Sequence, residues 1–338
     1  MIKELISKYK RIRSEEYLER TYRAGYAFVG MGQHALSNLY PVLSYLGVPL
    51  RYICVTNSRK AKMIEEKFPG VKGVTSLDEI LADEGVKGVF VAASPDAHFK
   101  IARKVLKSGK ALFIEKPPCG TAAELEDLIT YKGNARAGLQ RRYCPAVDIL
   151  RKRLKGEKAL SYDLHYVTGA YPEGDPLVDL YIHPLDLVCF LFGKAEILSV
   201  RRVAGNDYVL MLDHGGVVGT LELSTGYSWE DARDSLSVRT DAGVYCLEQS
   251  EDLNFITRPS KLMGVPLEKL GASEPKEVSL AQRNTFSPVL AGNMVYSHGF
   301  YDELLSFVED VEGRKSENLS DLPSLRNTFV LLEALRKA

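Results

Sequence analysis

Between residues 25 and 144, short apolar segments alternate with amphipathic ones, and this alternation constrains the fold more than any other feature of the sequence. Apolar strands that are separated by helices form a parallel sheet covered on both faces. We therefore predict a doubly wound α/β domain over residues 25–144. Its strands are predicted at 27–29, 52–55, 88–92, 111–114 and 137–139, and its helices at 34–46, 59–67, from Ser76 onward, 96–108 and 121–132.

The pattern changes after residue 144, where strand-like alternation dominates and long helices no longer separate the later strands. Such strands pair as antiparallel hairpins, so residues 145–338 are predicted to form an α+β domain. Before the first strand, Ile2, Leu5, Ile6 and Tyr9 have the spacing of one helix face, which predicts a helical extension over residues 1–24. The strands of the second domain are predicted at 160–168, 196–204, 207–213, 216–224, 234–240 and 243–248, and its helices at 145–156, 180–192, 299–311 and 322–337.

The composition argues against several classes of protein. The 44 basic and 44 acidic residues cancel, whereas a nucleic-acid-binding domain has a basic excess. The five cysteines include no C-x-x-C pair, so we expect neither a disulfide framework nor a zinc site, and we predict no other metal site. No apolar stretch reaches the roughly 18 residues that span a membrane, and the N-terminus lacks the apolar core of a secretory signal. We expect a cytoplasmic protein without a nucleic-acid or membrane partner.

A glycine turn follows the first predicted strand and has the sequence Gly30-Met31-Gly32-Gln33-His34-Ala35. In a G-x-G-x-x-A turn that opens a helix, the first glycine makes the turn and the second lets a pyrophosphate approach the backbone. The free N–H groups at the start of the helix then face the phosphates. The sequence predicts a dinucleotide site, and the alternative is a plain tight turn.

The end of the second predicted strand lacks the acid that would bind a ribose 2′-hydroxyl. It reads Asn57-Ser58-Arg59-Lys60, with a hydroxyl and two cations. These side chains suit a 2′-phosphate, so NADP is the preferred cofactor and NAD is possible. The alternative is that Arg59 and Lys60 are the solvated start of a helix.

Lys116 stands where the predicted strand 111–114 ends, followed by Pro117 and Pro118. Ligands of such sheets bind beyond the carboxyl ends of the strands, and a lysine there can polarise an alcohol or carbonyl oxygen. Asp179 and His183 are spaced to share a helix face, where the acid could orient the imidazole for proton exchange. The alternatives are that Lys116 is an ordinary surface residue and that Asp179 and His183 make only an ordinary contact on a helix. Pro184 disfavours a helical conformation at His183.

Together these motifs resemble the Gfo/Idh/MocA family, which includes glucose-fructose oxidoreductase and inositol dehydrogenase relatives. The resemblance implies a Rossmann domain followed by an open-faced antiparallel sheet that often forms oligomer contacts. It also implies that Lys116, Asp179 and His183 form the catalytic set. The matching segments are 30–35, 94–98, 107–110, 115–117, 140–145, Asp179 with His183, 186–187 and Gly193.

The remaining site residues are assigned from their positions in the sequence. The candidates for substrate contact are Arg141, Arg142 and Tyr181. Arg141 and Arg142 are neighbours on a predicted strand or its end and face opposite sides, so at most one of them is expected to point at an anionic substrate group, and the alternative is that both are structural. The cofactor is expected to contact Gly30, Met31, Gly32, Gln33, His34, Asn57, Ser58, Arg59, Ser94, Pro95, His98, Glu115 and Lys116.

The hypothesis from the sequence is reversible hydride transfer between a nicotinamide and a secondary alcohol of a sugar, polyol or sugar nucleotide. His183 would exchange the proton, Lys116 would polarise the oxygen, and Asp179 would position substrate and imidazole. We expect a homo-oligomer formed through the C-terminal sheet. Two alternatives stay open: a non-catalytic NADP-binding regulatory protein of the same fold, and a reductase of an imine, tetrapyrrole or dihydrodiol.

Overall fold

The computed structural model describes residues 2–271, 273–283 and 294–338. Its first sheet has six parallel strands in the order β3-β2-β1-β4-β5-β6, as a doubly wound Rossmann fold requires. The three-residue strand β3 was not predicted, because only Val74 in it is buried and so short a segment has no readable period. These strands are β1 (Gly25–Val29), β2 (Leu50–Cys54), β3 (Lys72–Val74), β4 (Val86–Val91), β5 (Ala111–Glu115) and β6 (Ala135–Gly138).

Helices connect these strands close to the predicted positions. The predicted helix 34–46 is divided into a π-helical turn over Ala35–Leu39 and a regular helix, with Pro41 in the first turn of the latter. Pro41 has no N–H to donate to the preceding turn, which accounts for the break. The helices are α1 (Ile2–Glu19), α2 (Tyr40–Leu46), α3 (Ser58–Lys67), α4 (Leu77–Ala82), α5 (Pro95–Lys107) and α6 (Ala122–Thr130).

The second sheet has eight strands in the order β16-β13-β12-β11-β7-β10-β9-β8. All of its neighbours are antiparallel except β7 and β10, so the predicted antiparallel sheet is a mixed one. The parallel pair arises because the hairpins β8-β9-β10 return to the free edge of β7 with β10 running in the same direction. The strands are β7 (Ala159–Val167), β8 (Glu196–Ala204), β9 (Asp207–Asp213), β10 (Val218–Ser224), β11 (Arg233–Thr240), β12 (Gly243–Glu248), β13 (Asp252–Thr257), β14 (Lys261–Leu262), β15 (Val265–Pro266) and β16 (Glu277–Ala281), of which β14 and β15 form a separate hairpin.

One face of the second sheet is buried and the other is open. In β9, Leu210 and Leu212 are buried in the core, whereas Val209 and Met211 between them are exposed. The alternation is that of a sheet with one solvated face. Helices cover the buried face; the helices of this half of the chain are α7 (Pro145–Leu154), α8 (Ile182–Phe192), α9 (Met294–Ser297), α10 (Phe300–Val311) and α11 (Arg326–Lys337).

The helix α10 packs on the first sheet although it lies far along the chain. Its Phe307 ring stands edge-on to Phe90 of β4, with 5.1 Å between ring centroids, and Leu304 and Phe300 are buried in the same cluster. Burial of each such side chain stabilises the fold by roughly 1.5–3 kcal/mol. The C-terminal part of the chain therefore helps to hold the first sheet. The division at residues 24/25 and 144/145 stays a prediction.

The predicted N-terminal helix is present as α1, and the apolar residues Ile2, Leu5, Ile6 and Tyr9 on its predicted face are exposed. The segment after it is tied to α10, because the backbone N–H groups of Arg23 and Ala24 donate to the Glu312 carboxylate. Within the described residues, no helix has the length and apolar character needed to cross a membrane.

Candidate active site

The glycine turn after β1 is held against the neighbouring strands. Gly30 has a φ of +88°, and a Cβ atom on it would lie 2.4 Å from the carbonyl oxygen of Ala92. Only glycine fits both this conformation and this close approach. The Gly30 N–H donates to the carbonyl oxygen of Cys54 at 2.9 Å, which ties the turn to the end of β2.

The second glycine of the turn faces open space. A Cβ atom on Gly32 would have no heavy atom within 4 Å beyond its chain neighbours. The helical turn begins directly afterwards, with the Leu36 N–H donating to the Gly32 carbonyl oxygen at 3.1 Å. Open space beside a glycine and the start of a helix are what a pyrophosphate needs to reach backbone N–H groups. The turn, with Met31 and Gln33 in it, fits a dinucleotide.

His34 and Glu115 connect the glycine turn with the end of β5. The Nε2 atom of His34 is 3.2 Å from Oε1 of Glu115, and its Nδ1 atom is 3.0 Å from the side-chain nitrogen of Asn38. The His34 ring also stands edge-on to Phe300 of α10. Two residues predicted to contact cofactor therefore lie together at the carboxyl edge of the first sheet.

The segment after β2 presents its cations to solvent. Asn57 caps α3, because its side-chain oxygen accepts the Lys60 N–H at 2.8 Å. Ser58, Arg59 and Lys60 are exposed in the first turn of that helix. Asn57 thus has a structural role, while the hydroxyl and the two cations are free to meet a ligand at this edge.

His98 supports the site from within α5, which begins at Pro95 directly after Ser94. It is 1% exposed, with Nδ1 2.7 Å from the carbonyl oxygen of Pro117 and Nε2 3.0 Å from that of Ala93. Both ring nitrogens therefore face backbone carbonyls. This arrangement corrects the prediction that His98 contacts the cofactor: the residue fixes the turn that follows Lys116 instead.

Lys116 reaches from the end of β5 to the second half of the chain. Its Nζ atom donates to the backbone carbonyl oxygen of Asp179 at 2.5 Å. Burial lowers the pKa of Lys116, and nearby Arg141 lowers it further, whereas Glu115 and Asp179 raise it. A lysine in such a place gives up a proton more readily than one on the surface.

His183 lies in the first turn of α8 and is 9% exposed. Burial holds its pKa well below 6.5, and the positive charges of Lys116 and Arg141 lower it further. The imidazole is therefore neutral at neutral pH and able to accept a proton. Pro184 does not disrupt the local helix: a π-helical turn over Leu177–Tyr181 leads directly into α8.

Asp179 is half-buried, and its carboxylate faces Tyr171 rather than the imidazole. Burial raises its pKa, while Lys116 and the nearby Tyr171 side chain lower it. Among the described residues, no hydrogen bond joins the side chains of Asp179 and His183. The structure thus gives the predicted orientation of the imidazole by Asp179 no support, although both residues lie beside Lys116.

Of the three residues predicted to bind substrate, two are committed elsewhere. The Arg142 guanidinium forms a buried two-point pair with Asp186 at 2.5 and 2.7 Å and donates to the carbonyl oxygen of Leu319. Tyr181 is fully buried, and its hydroxyl donates to the carbonyl oxygen of Asn206 at 2.7 Å. Arg142 and Tyr181 are structural residues in this arrangement, which corrects the prediction.

Arg141 is the predicted substrate residue that borders open space. Its side chain is 15% exposed and pairs with Asp234 at 2.7 Å. A cavity of about 180 Å³ adjoins it, lined by Gln140, Arg141, Tyr166, Thr168, Trp229 and Asp234 among others. Arg141 also acts electrostatically on Lys116 and His183, although neither of these residues lines the cavity.

The sequence-based predictions missed three residues of the site. Tyr171 lies in a loop without periodicity, and Asp234 is one residue of an alternating strand, so neither gave a signal. Glu303, whose pKa is raised by burial and by the negative charge of Glu115, did give one. It lies on the apolar face of α10, three residues after Phe300 and four before Phe307, where a buried acid is unusual.

Comparisons with known proteins agree with this geometry. Residues 24–138 match the model of the Gfo/Idh/MocA family, described as "Oxidoreductase family, NAD-binding Rossmann fold". An uncharacterized oxidoreductase of Schizosaccharomyces pombe is 35% identical over 31% of this chain and 30% of its own length. Inositol 2-dehydrogenase of Salmonella paratyphi B is 26% identical over 52% of this chain and 55% of its own length. The matches thus span only about a third to a half of these relatives.

Solved structures resemble the whole chain. A dehydrogenase from Chromobacterium violaceum has a TM-score of 0.77 at 17% identity, covering 94% of this chain and 95% of its own. Levoglucosan dehydrogenase in complex with NADH and L-sorbose has a TM-score of 0.77 at 14% identity, covering 94% and 96%. At such identities the likeness concerns the fold. Together with the family match, it confirms the resemblance predicted from the sequence.

Proposed function

With residues 24–138 belonging to the Gfo/Idh/MocA oxidoreductases, we propose that this chain is an NAD(P)-dependent dehydrogenase acting on a secondary alcohol of a sugar or polyol. The observation that carries the proposal is the convergence of three features at one edge of the first sheet. The glycine turn, the partly buried Lys116 and the neutral, buried His183 all lie there. If Lys116 and His183 had only structural roles, there would be no reason for both to lie beside the glycine turn.

Each residue has a role that follows from its surroundings. A bound nicotinamide supplies the acceptor for the hydride that leaves the alcohol carbon. Neutral His183 accepts the hydroxyl proton during oxidation and returns it during reduction. The Lys116 ammonium group donates a hydrogen bond to the substrate oxygen as its negative charge develops. Asp179 fixes Lys116 through its backbone carbonyl and contacts substrate through its carboxylate.

We propose NADP as the preferred dinucleotide. Arg59 and Lys60 are exposed at the end of β2, where the ribose of a dinucleotide lies in this fold, and Ser58 offers a hydroxyl beside them. No acid stands in the segment 55–60 to repel a 2′-phosphate or to bind a 2′-hydroxyl. Every assay is therefore also run with NAD for comparison.

We also propose that the open face of the second sheet is an interface between copies of this chain. Val209, Met211 and Val218 are exposed on adjacent strands of that face. Exposed apolar residues that adjoin one another on a sheet are typical of protein interfaces. Light scattering of the purified chain tests this proposal, and a monomer at every concentration would contradict it.

The function is tested by a panel of sugars, polyols and nucleotide sugars, each assayed with NAD and with NADP. The expected result is reduction of the nicotinamide by at least one secondary alcohol, with a higher kcat/KM for NADP. The product should be the corresponding ketone, identified by mass spectrometry. A chain that binds dinucleotide tightly but oxidises no alcohol and reduces no ketone would instead be the regulatory protein, and the proposal would fail.

A further inference from the structure

A loop beside the catalytic set is fastened by the single tryptophan of the chain. The Nε1–H group of Trp229 donates to the carbonyl oxygen of Ala170 at 2.8 Å. A Cβ atom on Gly169 would lie 2.4 Å from the Trp229 ring, so the ring packs directly on the loop backbone. The Tyr227 N–H donates to the carbonyl oxygen of Thr168 at 2.9 Å. Residues 168–175, which we call the Trp229 loop, are therefore fixed at their first turn.

The Trp229 loop carries Tyr171 to the carboxylate of Asp179. The Tyr171 ring lies 6.4 Å from the Trp229 ring, measured between centroids. A Cβ atom on Gly174 would lie 2.2 Å from Oδ2 of Asp179 and 3.3 Å from the Tyr171 hydroxyl oxygen. Both oxygens thus crowd the same glycine. The close approach requires that residue 174 have no side chain.

The Tyr171 hydroxyl and the Asp179 carboxylate flank the same glycine, and the hydroxyl lowers the pKa of Asp179, which favours its charged form. Two other residues act on the pKa of this carboxylate. Lys116 and the backbone of Asp175 lower it, whereas the charge of the Asp175 side chain raises it. Burial acts against ionisation and is the largest of these effects. Without the Tyr171 hydroxyl, the pKa of Asp179 would rise. Its carboxyl group would then be neutral more often and less well placed.

We propose that Tyr171 is a positioning residue that holds the Asp179 carboxylate in place for the reaction, and that Trp229 fixes the loop that carries it. The inference rests on the proposed function, because it assigns Tyr171 a role in that same site. Trp229 is 51% exposed and lines the cavity next to Arg141, so a substrate in the cavity would lie against the side chain that fixes Tyr171.

The test compares Tyr171→Phe in two backgrounds. In the wild-type background it should lower kcat roughly ten- to hundred-fold, the range expected when a charged group loses a polar partner, with a smaller change in KM. In an Asp179→Asn background the same substitution should change kcat less than about two-fold, because the partner of the hydroxyl is already altered. Tyr227→Phe, which removes a neighbouring exposed hydroxyl bound to Asp231, serves as the control and should leave kcat unchanged.

Two further variants test the geometry without substituting Tyr171 itself. Gly174→Ala places a methyl group where Oδ2 of Asp179 lies and should lower kcat, while Gly156→Ala, at an exposed glycine with room for a Cβ atom, should not. Trp229→Phe removes the N–H donor to Ala170 and reduces the ring that packs on Gly169, and it should lower kcat roughly two- to ten-fold.

An equal effect of Tyr171→Phe in both backgrounds, or full activity of both Tyr171→Phe and Gly174→Ala, would overturn the proposal. These results would leave the dehydrogenase assignment intact, since that assignment fails only if the wild-type chain oxidises no alcohol.

Discussion

The Nζ atom of Lys116 lies 2.5 Å from the backbone carbonyl oxygen of Asp179, and this contact joins two parts of the chain that are 63 residues apart in sequence. Lys116 ends a strand of the first sheet, whereas Asp179 lies in the helical turn that leads into α8 of the second half. The two halves thus meet where Lys116, Asp179 and His183, the proposed catalytic residues, lie. Any displacement of one half against the other would separate Lys116 from Asp179 and His183.

Removal of the Lys116 charge should abolish most of the activity. Lys116→Met keeps most of the length of the side chain but donates no hydrogen bond, so kcat should fall at least ~100-fold, the lower range for a general acid–base group. The dissociation constant of the dinucleotide, measured by fluorescence titration, should change little. Lys107→Met, at an exposed lysine of α5, provides the control. Full activity of Lys116→Met would show that this lysine takes no part in the chemistry.

The pH dependence of alcohol oxidation should reflect the neutral state of His183. Burial and two nearby cations lower its pKa below 6.5, so the imidazole stays unprotonated, and kcat should persist, as the pH falls past 6.5. Arg141→Gln removes one cation and leaves Asp234 unpaired, and both changes raise the pKa of His183. The acid limb of the kcat profile should therefore move to higher pH, whereas Arg103→Gln, a distant exposed cation, should not move it. A wild-type limb at or above pH 6.5 would contradict this assignment.

The two glycines of the turn should respond differently to alanine. Gly30→Ala forces a side chain into a left-handed conformation and against Ala92, so it should destabilise the fold by roughly 1–3 kcal/mol. Gly32→Ala meets no atoms within the protein and should leave the melting temperature nearly unchanged. It should nonetheless weaken dinucleotide binding, because the methyl group occupies the space that the pyrophosphate needs. Equal dinucleotide affinity of Gly32→Ala and wild type would argue against binding at this turn.

Glu303 should make the stability of the fold depend on pH. Its side chain is fully buried, and neither carboxyl oxygen has a hydrogen-bond partner among the described residues. Burial, followed by the negative charge of Glu115, raises its pKa well above 4.5, so the folded chain retains a proton that the unfolded chain releases. The contribution of Glu303 to the free energy of unfolding is fully present below the pKa that this residue has in the unfolded chain. As the pH rises above that value, the contribution is lost by up to about 1.4 kcal/mol per pH unit.

Glu303→Gln tests this, because the amide has a similar shape and does not titrate. Urea unfolding of wild type and variant at several pH values between about 5 and 8 gives the difference in stability, which should move in favour of the variant as the pH rises. The other titrating groups contribute equally to the stability of both proteins, so their contributions cancel in the difference. A constant difference over this range would mean that Glu303 is ionised in the folded chain.

The sequence located five of the six strands of the first sheet and placed Lys116 at the end of one of them. Five of its strands contain a continuous apolar segment, and Lys116 directly follows one of these strands, so local patterns located both the strands and the lysine. The parallel pairing of β7 with β10 was not predictable, because partner choice depends on how hairpins return to the sheet. Arg142 resembled a ligand-binding residue in sequence, and only its buried contact with Asp186 reveals a structural role.

The central claim is that a nicotinamide dinucleotide lies across the glycine turn with its reactive ring facing Lys116 and His183. A crystal structure of the chain with bound NADP tests it most directly. The account predicts the pyrophosphate beside Gly32 and the nicotinamide ring between the end of β5 and the first turn of α8. A dinucleotide bound elsewhere, or a nicotinamide ring that neither Lys116 nor His183 can approach, would contradict it.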